Sequence, residues 1–129
     1  MAPPPPSPSS PGMKRVLFVE DEQSLRNSYQ RFFAGRYEMA FAGSGNEGLQ
    51  QLSSFAPDVL VLDLRLPDTD GVALLQQIRQ THRDLPVIIT TAYMSMEPLM
   101  VMLDLKNSAY LLKPFDLNEL AARIEGASS

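Results

Sequence analysis

The chain has 129 residues, of which 44% are hydrophobic and 20% are charged, a balance typical of one globular domain with a substantial core. It contains no cysteine, which excludes disulfides, thiolate catalysis and cysteine-ligated metals. The formal net charge of -4 argues against a nucleic-acid interface on this domain, because such an interface needs clustered lysine and arginine. Proteins and cations are therefore the expected partners.

The beginning of the chain is predicted to be a disordered tail that covers residues 1–13. Its first twelve residues include six prolines and three serines, without charge or an apolar run, a composition typical of a solvated segment. A proline-rich ligand for another domain is the less favoured alternative. The segment lacks the basic start and apolar centre of a secretory signal, and no apolar run in the chain is long enough to cross a bilayer. We therefore expect a cytoplasmic protein without membrane contact.

Residues 14–126 are predicted to alternate between five strands and five helices, followed by a short tail at 127–129. Apolar runs predict the strands, and apolar residues spaced three or four apart predict the helices. The strands are Arg15–Val19, Tyr37–Ala42, Val59–Leu62, Pro86–Thr91 and Ala109–Leu112, and the helices begin near Gln23, Ser44, Val72, Met94 and Asp116, with capping boxes at Ser44 and Asp116. Such alternation implies a three-layer αβα fold of the α/β class, with a parallel sheet and right-handed crossovers.

The segment from Met94 to Leu105 is predicted to be a helix that is apolar almost all round. A helix on the surface of a domain needs only one apolar stripe, and methionine packs well against varied partners. Two alternatives fit about equally: a second face that contacts a partner, or a helix deep in a core.

Acidic residues follow two of the predicted strands. Asp63 comes directly after the buried strand Val59–Leu62, and Glu20 and Asp21 come directly after the first strand. The carboxyl ends of parallel strands meet at one edge of a sheet, where ligands bind. Carboxylate oxygens are the ligands that Mg²⁺ prefers, which favours a divalent-cation site. The alternative, that the acids only begin the next helix, fits Glu22 best.

The other strand ends supply a hydroxyl and an ammonium group, from Thr91 and Lys113. Three carboxylates carry three negative charges, which one Mg²⁺ and Lys113 would balance. Without the cation, the clustered carboxylates are expected to raise each other's pKa. A carboxylate beside a divalent cation and an ammonium can attack phosphorus to give an aspartyl phosphate, so Asp63 is the predicted nucleophile.

Four motifs in this order resemble the receiver domain of two-component response regulators. They are Val-Glu-Asp-Glu, Leu-Asp-Leu-Arg-Leu-Pro-Asp-Thr-Asp-Gly, Thr-Thr-Ala and Tyr-Leu-Leu-Lys-Pro-Phe, after strands one, three, four and five respectively, and the resemblance covers residues 14–126. It implies a flavodoxin-like, doubly wound five-stranded parallel sheet with strand order 2-1-3-4-5. It also implies a cytoplasmic phosphoprotein that takes its phosphoryl group from a sensor histidine kinase or a phosphotransfer protein.

The resemblance implies a role for each matching residue at the site. Asp63 falls on the phosphoacceptor, Lys113 on the family's lysine, and Thr91, rather than Thr90, on its hydroxyl residue. Tyr110 falls on the aromatic switch residue, which in the family turns inward as the hydroxyl residue moves toward the phosphoryl group. A cis peptide bond is implied before Pro114.

The same resemblance assigns a metal shell. Glu20 and Asp21 match the acidic pair that, with Asp63, holds Mg²⁺ or Mn²⁺, and the backbone carbonyl of Arg65 completes the shell. Glu20 replaces the commoner aspartate, a change that should leave metal binding intact. In the family, the positions of Arg65 and Tyr93 govern access of the hydrolytic water, so these bulky residues predict slow dephosphorylation.

A second departure precedes the fifth strand, where Lys106 and Asn107 replace the usual Gly-Ala pair. Either the turn takes another shape there, or Asn107 supplies the left-handed conformation.

The expected function is a phosphorylation-dependent switch that promotes its own phosphorylation and dephosphorylation but is not otherwise an enzyme. It would act through the face formed by the fourth helix, fifth strand and fifth helix, on an output domain, a protein partner or a second copy of the chain. A receiver-like module that signals without phosphorylation is the main alternative. Two other functions are disfavoured. A phosphohydrolase normally carries a second aspartate two residues after the nucleophile, where this chain has Arg65. A flavin-binding protein would not have acidic residues after the first strand, because they would repel the flavin phosphate.

Overall fold

The computed structural model describes residues 13–92 and 108–127, and these build one parallel sheet with helices on both of its faces. The strands are β1 (Arg15–Val19), β2 (Glu38–Ala42), β3 (Val59–Asp63), β4 (Val87–Thr91) and β5 (Ser108–Leu112). They pair in the order β2-β1-β3-β4-β5, and every pairing is parallel. The predicted fold class and strand order are confirmed.

Four helices lie within the described residues. They are α1 (Gln23–Phe33), α2 (Gly45–Phe55), α3 (Gly71–Thr81) and a C-terminal helix (Leu117–Gly126). Across residues 13–92 and 108–127, none of them is long and apolar enough to span a membrane. The predicted helix at 94–105, together with Tyr93, Lys106, Asn107 and most of the predicted N-terminal tail, lies outside the described residues.

Alternate side chains of the strands build a separate core on each face of the sheet. Leu60 and Leu62 of β3 face α2 and α3, whereas Val59 and Val61 face α1 and the C-terminal helix. All five residues of β3 are buried. Burial on both faces explains why the first four residues of this strand are an uninterrupted apolar run, as expected for the centre of a parallel sheet.

The two predicted capping boxes differ in the structure. At Asp116, the carboxylate caps the C-terminal helix, and the side chain of Glu119 accepts the reciprocal bond, so this box is confirmed. Ser44 accepts a bond from the Glu47 backbone N–H at 3.2 Å, but the Glu47 carboxylate accepts from Gly43, at 2.8 Å. In the box at Ser44, the reciprocal bond therefore comes from the residue before the cap, because the Glu47 side chain reaches past Ser44 to the Gly43 N–H.

The loop after β3 turns back sharply on itself. Arg65 and Asp70 form an isolated antiparallel bridge, and the Gly71 N–H donates to the Leu64 carbonyl at 3.1 Å. A Cβ atom on Gly71 would lie 2.5 Å from the Leu64 Cα, so only glycine fits this crossing. Because of this sharp turn, the side chain of Asp63 lies at the carboxyl-terminal edge of the sheet.

Replacing Gly71 with alanine should therefore destabilise the fold. The added methyl group meets backbone atoms that cannot rotate away, and overpacking of this kind lowers the free energy of unfolding by about 1–3 kcal/mol. Urea unfolding followed by circular dichroism measures the change. Gly126→Ala is the matched control, because no atom lies within 4 Å of its added methyl group. Equal urea midpoints for Gly71→Ala and wild type would contradict this account of the crossing.

Candidate functional site at the carboxyl ends of the strands

Three strands bring charged side chains together at one edge of the sheet. The Lys113 Nζ lies 3.0 Å from Glu20 Oε1 and 3.3 Å from Asp63 Oδ2. Glu20 and Asp63 are almost fully buried, with 2% and 3% of their surface exposed. Residues far apart in the chain thus meet because β1, β3 and β5 run in the same direction and end at the same edge.

Asp21 completes an acidic cluster with these two carboxylates. One oxygen from each of Glu20, Asp21 and Asp63 lies within 4.8 Å of the other two, and Asp21 is exposed while its partners are buried. Carboxylate oxygens at this spacing suit a hard divalent cation such as Mg²⁺, which also keeps water ligands. The exposed side of Asp21 leaves room for those waters.

Backbone and arginine donors fix the two buried acids. The Glu22 N–H donates to Glu20 Oε2 at 3.1 Å, and the Arg65 N–H donates to Asp63 Oδ1 at 3.2 Å. The guanidinium of Arg26 donates to the Glu20 carbonyl oxygen at 2.6 Å. Each buried carboxylate therefore has one oxygen held by a backbone N–H and the other held by Lys113. No sequence pattern indicated this role of Arg26, because its contact is with a backbone atom.

The charges of the site are reflected in two pKa values. Burial, and then the negative charge of Asp63, raises the pKa of Glu20 from 4.5 to about 7, although the Glu22 N–H and Lys113 act in the opposite direction. Burial acts to lower the pKa of Lys113, but its bond to Glu20 and the charges of both carboxylates outweigh burial and raise it. The site therefore carries more negative charge than one ammonium can balance, which fits an additional cation.

The acids open into a cavity of about 390 Å³. Arg65, Leu66 and Pro67 line it from the loop after β3, and Ala92 lines it from the end of β4. Because one water occupies about 30 Å³ of liquid volume, the cavity has room for a phosphoryl group and several waters. The three apolar lining residues were not predicted, since apolar residues in loops have no distinctive spacing.

Thr91 and Tyr110 are the remaining predicted residues, and neither is among the residues that line this cavity. Thr91 is fully buried, and its carbonyl accepts from the Lys113 backbone N–H at 2.7 Å, which anchors the start of the lysine loop. Tyr110 is half-buried and packs against the core on the α2 and α3 face. The peptide bond between Lys113 and Pro114 is cis, as the family resemblance implied.

A second cavity of about 440 Å³ lies beside the first and shares three lining residues with it, Glu22, Ala92 and Lys113. Its own walls are mainly apolar and come from Leu25 on α1 and from Pro114 and Phe115 after β5. Three separate segments build this cavity, so no single stretch of sequence indicated it.

Comparison with known proteins gives one consistent family. The model of the response regulator receiver domain matches residues 16–125. The DNA-binding transcriptional regulator NtrC of Salmonella typhimurium is 42% identical over 115 residues, which are 88% of this chain and 24% of that protein. Response regulator MprA of Mycobacterium ulcerans is 39% identical over 111 residues, or 85% of this chain and 48% of that protein. The chain therefore spans a quarter to a half of these relatives.

Solved structures agree with the sequence comparison. The receiver domain of the Francisella response regulator 1452 superposes with a TM-score of 0.78 at 30% identity, covering 87% of this chain and 93% of that one. A CheY-like receiver domain protein from Methanospirillum hungatei gives 0.78 at 28% identity, covering 89% and 93%.

The raised pKa of Glu20 predicts how stability depends on pH. Because the folded protein holds this proton more tightly than the unfolded chain, the contribution to stability is complete below pH 4.5 and is lost as the pH rises through about 7. Glu20→Gln removes this loss. In buffer without divalent cations, the stability of Glu20→Gln relative to wild type should therefore rise between about pH 5 and pH 8.

Thermal melting across this pH range measures the effect. The exposed neighbour Glu22 supplies the matched control, because Glu22→Gln removes the same type of charge from the same loop and should follow the wild-type profile. Parallel profiles for Glu20→Gln and wild type would show that the ionisation of Glu20 is not linked to folding.

Proposed function

The chain belongs to the response regulator receiver domain family, and we propose that Asp63 is the residue on which it accepts a phosphoryl group. One observation carries the proposal: Asp63 lies 3.3 Å from the Lys113 ammonium and within 4.8 Å of two further carboxylates. A nucleophilic carboxylate and a phosphoryl group are both negative and repel each other, so positive charge is needed between them. The Lys113 ammonium and a cation held by the carboxylates would supply that charge, and the cavity would admit the phosphoryl group.

The proposed reaction is transfer from a phosphorylated histidine of the donor to Asp63. A carboxylate oxygen of Asp63 attacks phosphorus, the new O–P bond forms as the P–N bond breaks, and the electron pair leaves with the imidazole nitrogen. Lys113 neutralises charge on the phosphoryl oxygens as a compact point charge. Thr91 supplies a hydroxyl donor to one of these oxygens once the phosphoryl group is in place.

The proposed metal ligands are the carboxylates of Glu20, Asp21 and Asp63 and the backbone carbonyl of Arg65. Mg²⁺ or Mn²⁺ at this position would neutralise the phosphoryl oxygens during transfer. The support is the acidic cluster and the raised pKa of Glu20, since both indicate uncompensated negative charge. The bond from the Arg65 N–H to Asp63 Oδ1 keeps these two residues together, which supports Arg65 as a ligand.

We propose a sensor histidine kinase or a phosphotransfer protein as the donor. The apolar cavity around Leu25, Pro114 and Phe115 supports this proposal, because it offers a contact surface for a protein directly beside the phosphoacceptor. A kinase is itself phosphorylated from ATP, so the cytoplasm is the proposed location.

The proposed output is a change of surface that controls an output domain, a protein partner or a second copy of the chain. Thr91 and Tyr110 are its proposed switch residues. The matched relative NtrC is named a DNA-binding regulator, and the chain covers only 24% of it. We therefore propose that any DNA contact belongs to another domain, in line with the net charge of -4 on this one.

Asp63→Asn should abolish phosphorylation by acetyl phosphate in the presence of Mg²⁺. The amide is not a nucleophile, and no other carboxylate of the cluster shares its position at the end of the central strand. Intact-mass spectrometry measures the labelled fraction. The control is Asp58→Asn, an exposed aspartate at the opposite edge of the sheet, which should be labelled like wild type. Full labelling of Asp63→Asn would show that another residue is the phosphoacceptor.

Arg65→Ala should shorten the lifetime of the phosphorylated protein. The side chain is exposed and lines the cavity, so its removal should open a path for the hydrolytic water. A loss of about 0.6 kcal/mol from the barrier gives a roughly threefold faster decay. Decay of the labelled species on phosphate-affinity gels measures the rate. Arg83→Ala, in the exposed loop after α3, should decay at the wild-type rate, and an equal rate in Arg65→Ala would show that this side chain does not limit water access.

A further inference from the structure

We infer that helix α2 sets the geometry of the acidic site, and that Asp68 is the positioning residue through which it does so. This inference rests on the proposed function, because it concerns the residues that would hold the cation. Asp68 belongs to the loop that follows Asp63, and its side chain accepts hydrogen bonds from α2.

Both carboxylate oxygens of Asp68 accept hydrogen bonds from the first turn of α2. The Gly45 N–H donates to Oδ1 at 2.8 Å, and the Asn46 N–H donates to Oδ2 at 2.9 Å. The first N–H groups of a helix have no partner within the helix, and the helix dipole favours a negative charge at this end. The same donors lower the pKa of Asp68, so the carboxylate is ionised at neutral pH. A charged bidentate bond therefore joins the loop after β3 to a helix 22 and 23 residues earlier in the chain.

Close packing at Gly45 also holds the loop in position, in addition to the hydrogen bonds of Asp68. A Cβ atom on Gly45 would lie 2.4 Å from Thr69 Cγ2 and 3.3 Å from Asp68 Oδ1. The absence of a side chain at Gly45 thus allows the loop to approach α2 closely enough for Asp68 to bind.

The same helix also contacts the strand that leads to the other acids. Gly48 lies one turn after Gly45, and a Cβ atom there would lie 3.1 Å from Val19 Cγ2. Val19 directly precedes Glu20 in the chain. Helix α2 therefore touches both acidic segments, one through Gly45 and Asp68 and the other through Gly48, and its position determines their separation.

The loop transmits this constraint to the proposed metal ligands. Asp68 ties it to α2, and Asp70 ties it to α3 by accepting the Val72 N–H at 3.0 Å. Arg65 lies between these attachments and Asp63, donates its N–H to Asp63 and lines the cavity, and its backbone carbonyl is a proposed metal ligand. Loss of the Asp68 bonds frees one end of the segment that carries this carbonyl.

The first test is the Mn²⁺ affinity of the unphosphorylated protein, measured by electron paramagnetic resonance of the free ion. We expect Asp68→Ala to weaken binding about tenfold, the size of effect typical of residues that orient metal ligands. Asp58→Ala is the matched control. It also removes an exposed aspartate that accepts a backbone N–H, from Arg15 at 2.9 Å, but at the opposite edge of the sheet. Its Mn²⁺ affinity should equal that of wild type.

A rescue experiment separates positioning from general loss of stability. Gly45→Ala should weaken Mn²⁺ binding because its methyl group pushes Thr69 away, although the Asp68 carboxylate is retained. Adding Thr69→Ala removes the Cγ2 atom in the way, and the double variant should regain most of the lost affinity. Circular dichroism verifies that each variant is folded at the assay temperature.

The outcomes distinguish the inference from the function on which it rests. If wild type binds no Mn²⁺, the proposed metal site is wrong and the positioning role fails with it. If wild type binds but Asp68→Ala binds equally well, only the positioning role is overturned. An equal loss in Asp68→Ala and Asp58→Ala, or no rescue by Thr69→Ala, would also overturn it.

Discussion

Two buried carboxylates that share one ammonium are the constraint on which this structure depends. Glu20 and Asp63 are almost fully buried, and Lys113 is the cation that contacts both of them among residues 13–92 and 108–127. A buried charge is costly unless it is paired and hydrogen-bonded. Each acid therefore uses a backbone N–H in addition to Lys113, and the fold must hold three strand ends in register to provide these partners.

The rest of the fold supplies the rigidity that this arrangement needs. Both faces of β3 are covered, so Asp63 extends from a strand that cannot shift without disturbing two cores. The pKa of Glu20, raised to about 7, shows that pairing does not fully compensate for burial. Stability from the two apolar cores thus maintains an electrostatically unfavourable site, as is common where a protein binds charged ligands.

The sequence predicted those features that follow from periodicity and from chain direction. The bounds of β1 matched, and the meeting of Asp63 with Lys113 follows from the rule that parallel strands end at one edge. The bond from Gly45 to Asp68 could not be predicted, nor could the bond from Gly43 to the Glu47 side chain. Each of these contacts joins a loop to a helix end through a single polar atom. The partners are determined by the tertiary packing, and no periodic pattern in the sequence indicates them.

The shared ammonium also explains how phosphorylation of Asp63 would change the molecule. The carboxylates of Asp63 and Glu20 both contact Lys113, and a phosphoryl group on Asp63 would add negative charge to one side of this pair. Lys113 would move toward the stronger charge, and its 3.0 Å contact with Glu20 would weaken. Because the Lys113 backbone N–H is bonded to the carbonyl of Thr91, movement of the lysine loop acts directly on the end of β4. A local redistribution of charge thus reaches Thr91, one of the proposed switch residues, through a bond that already exists in the unphosphorylated protein.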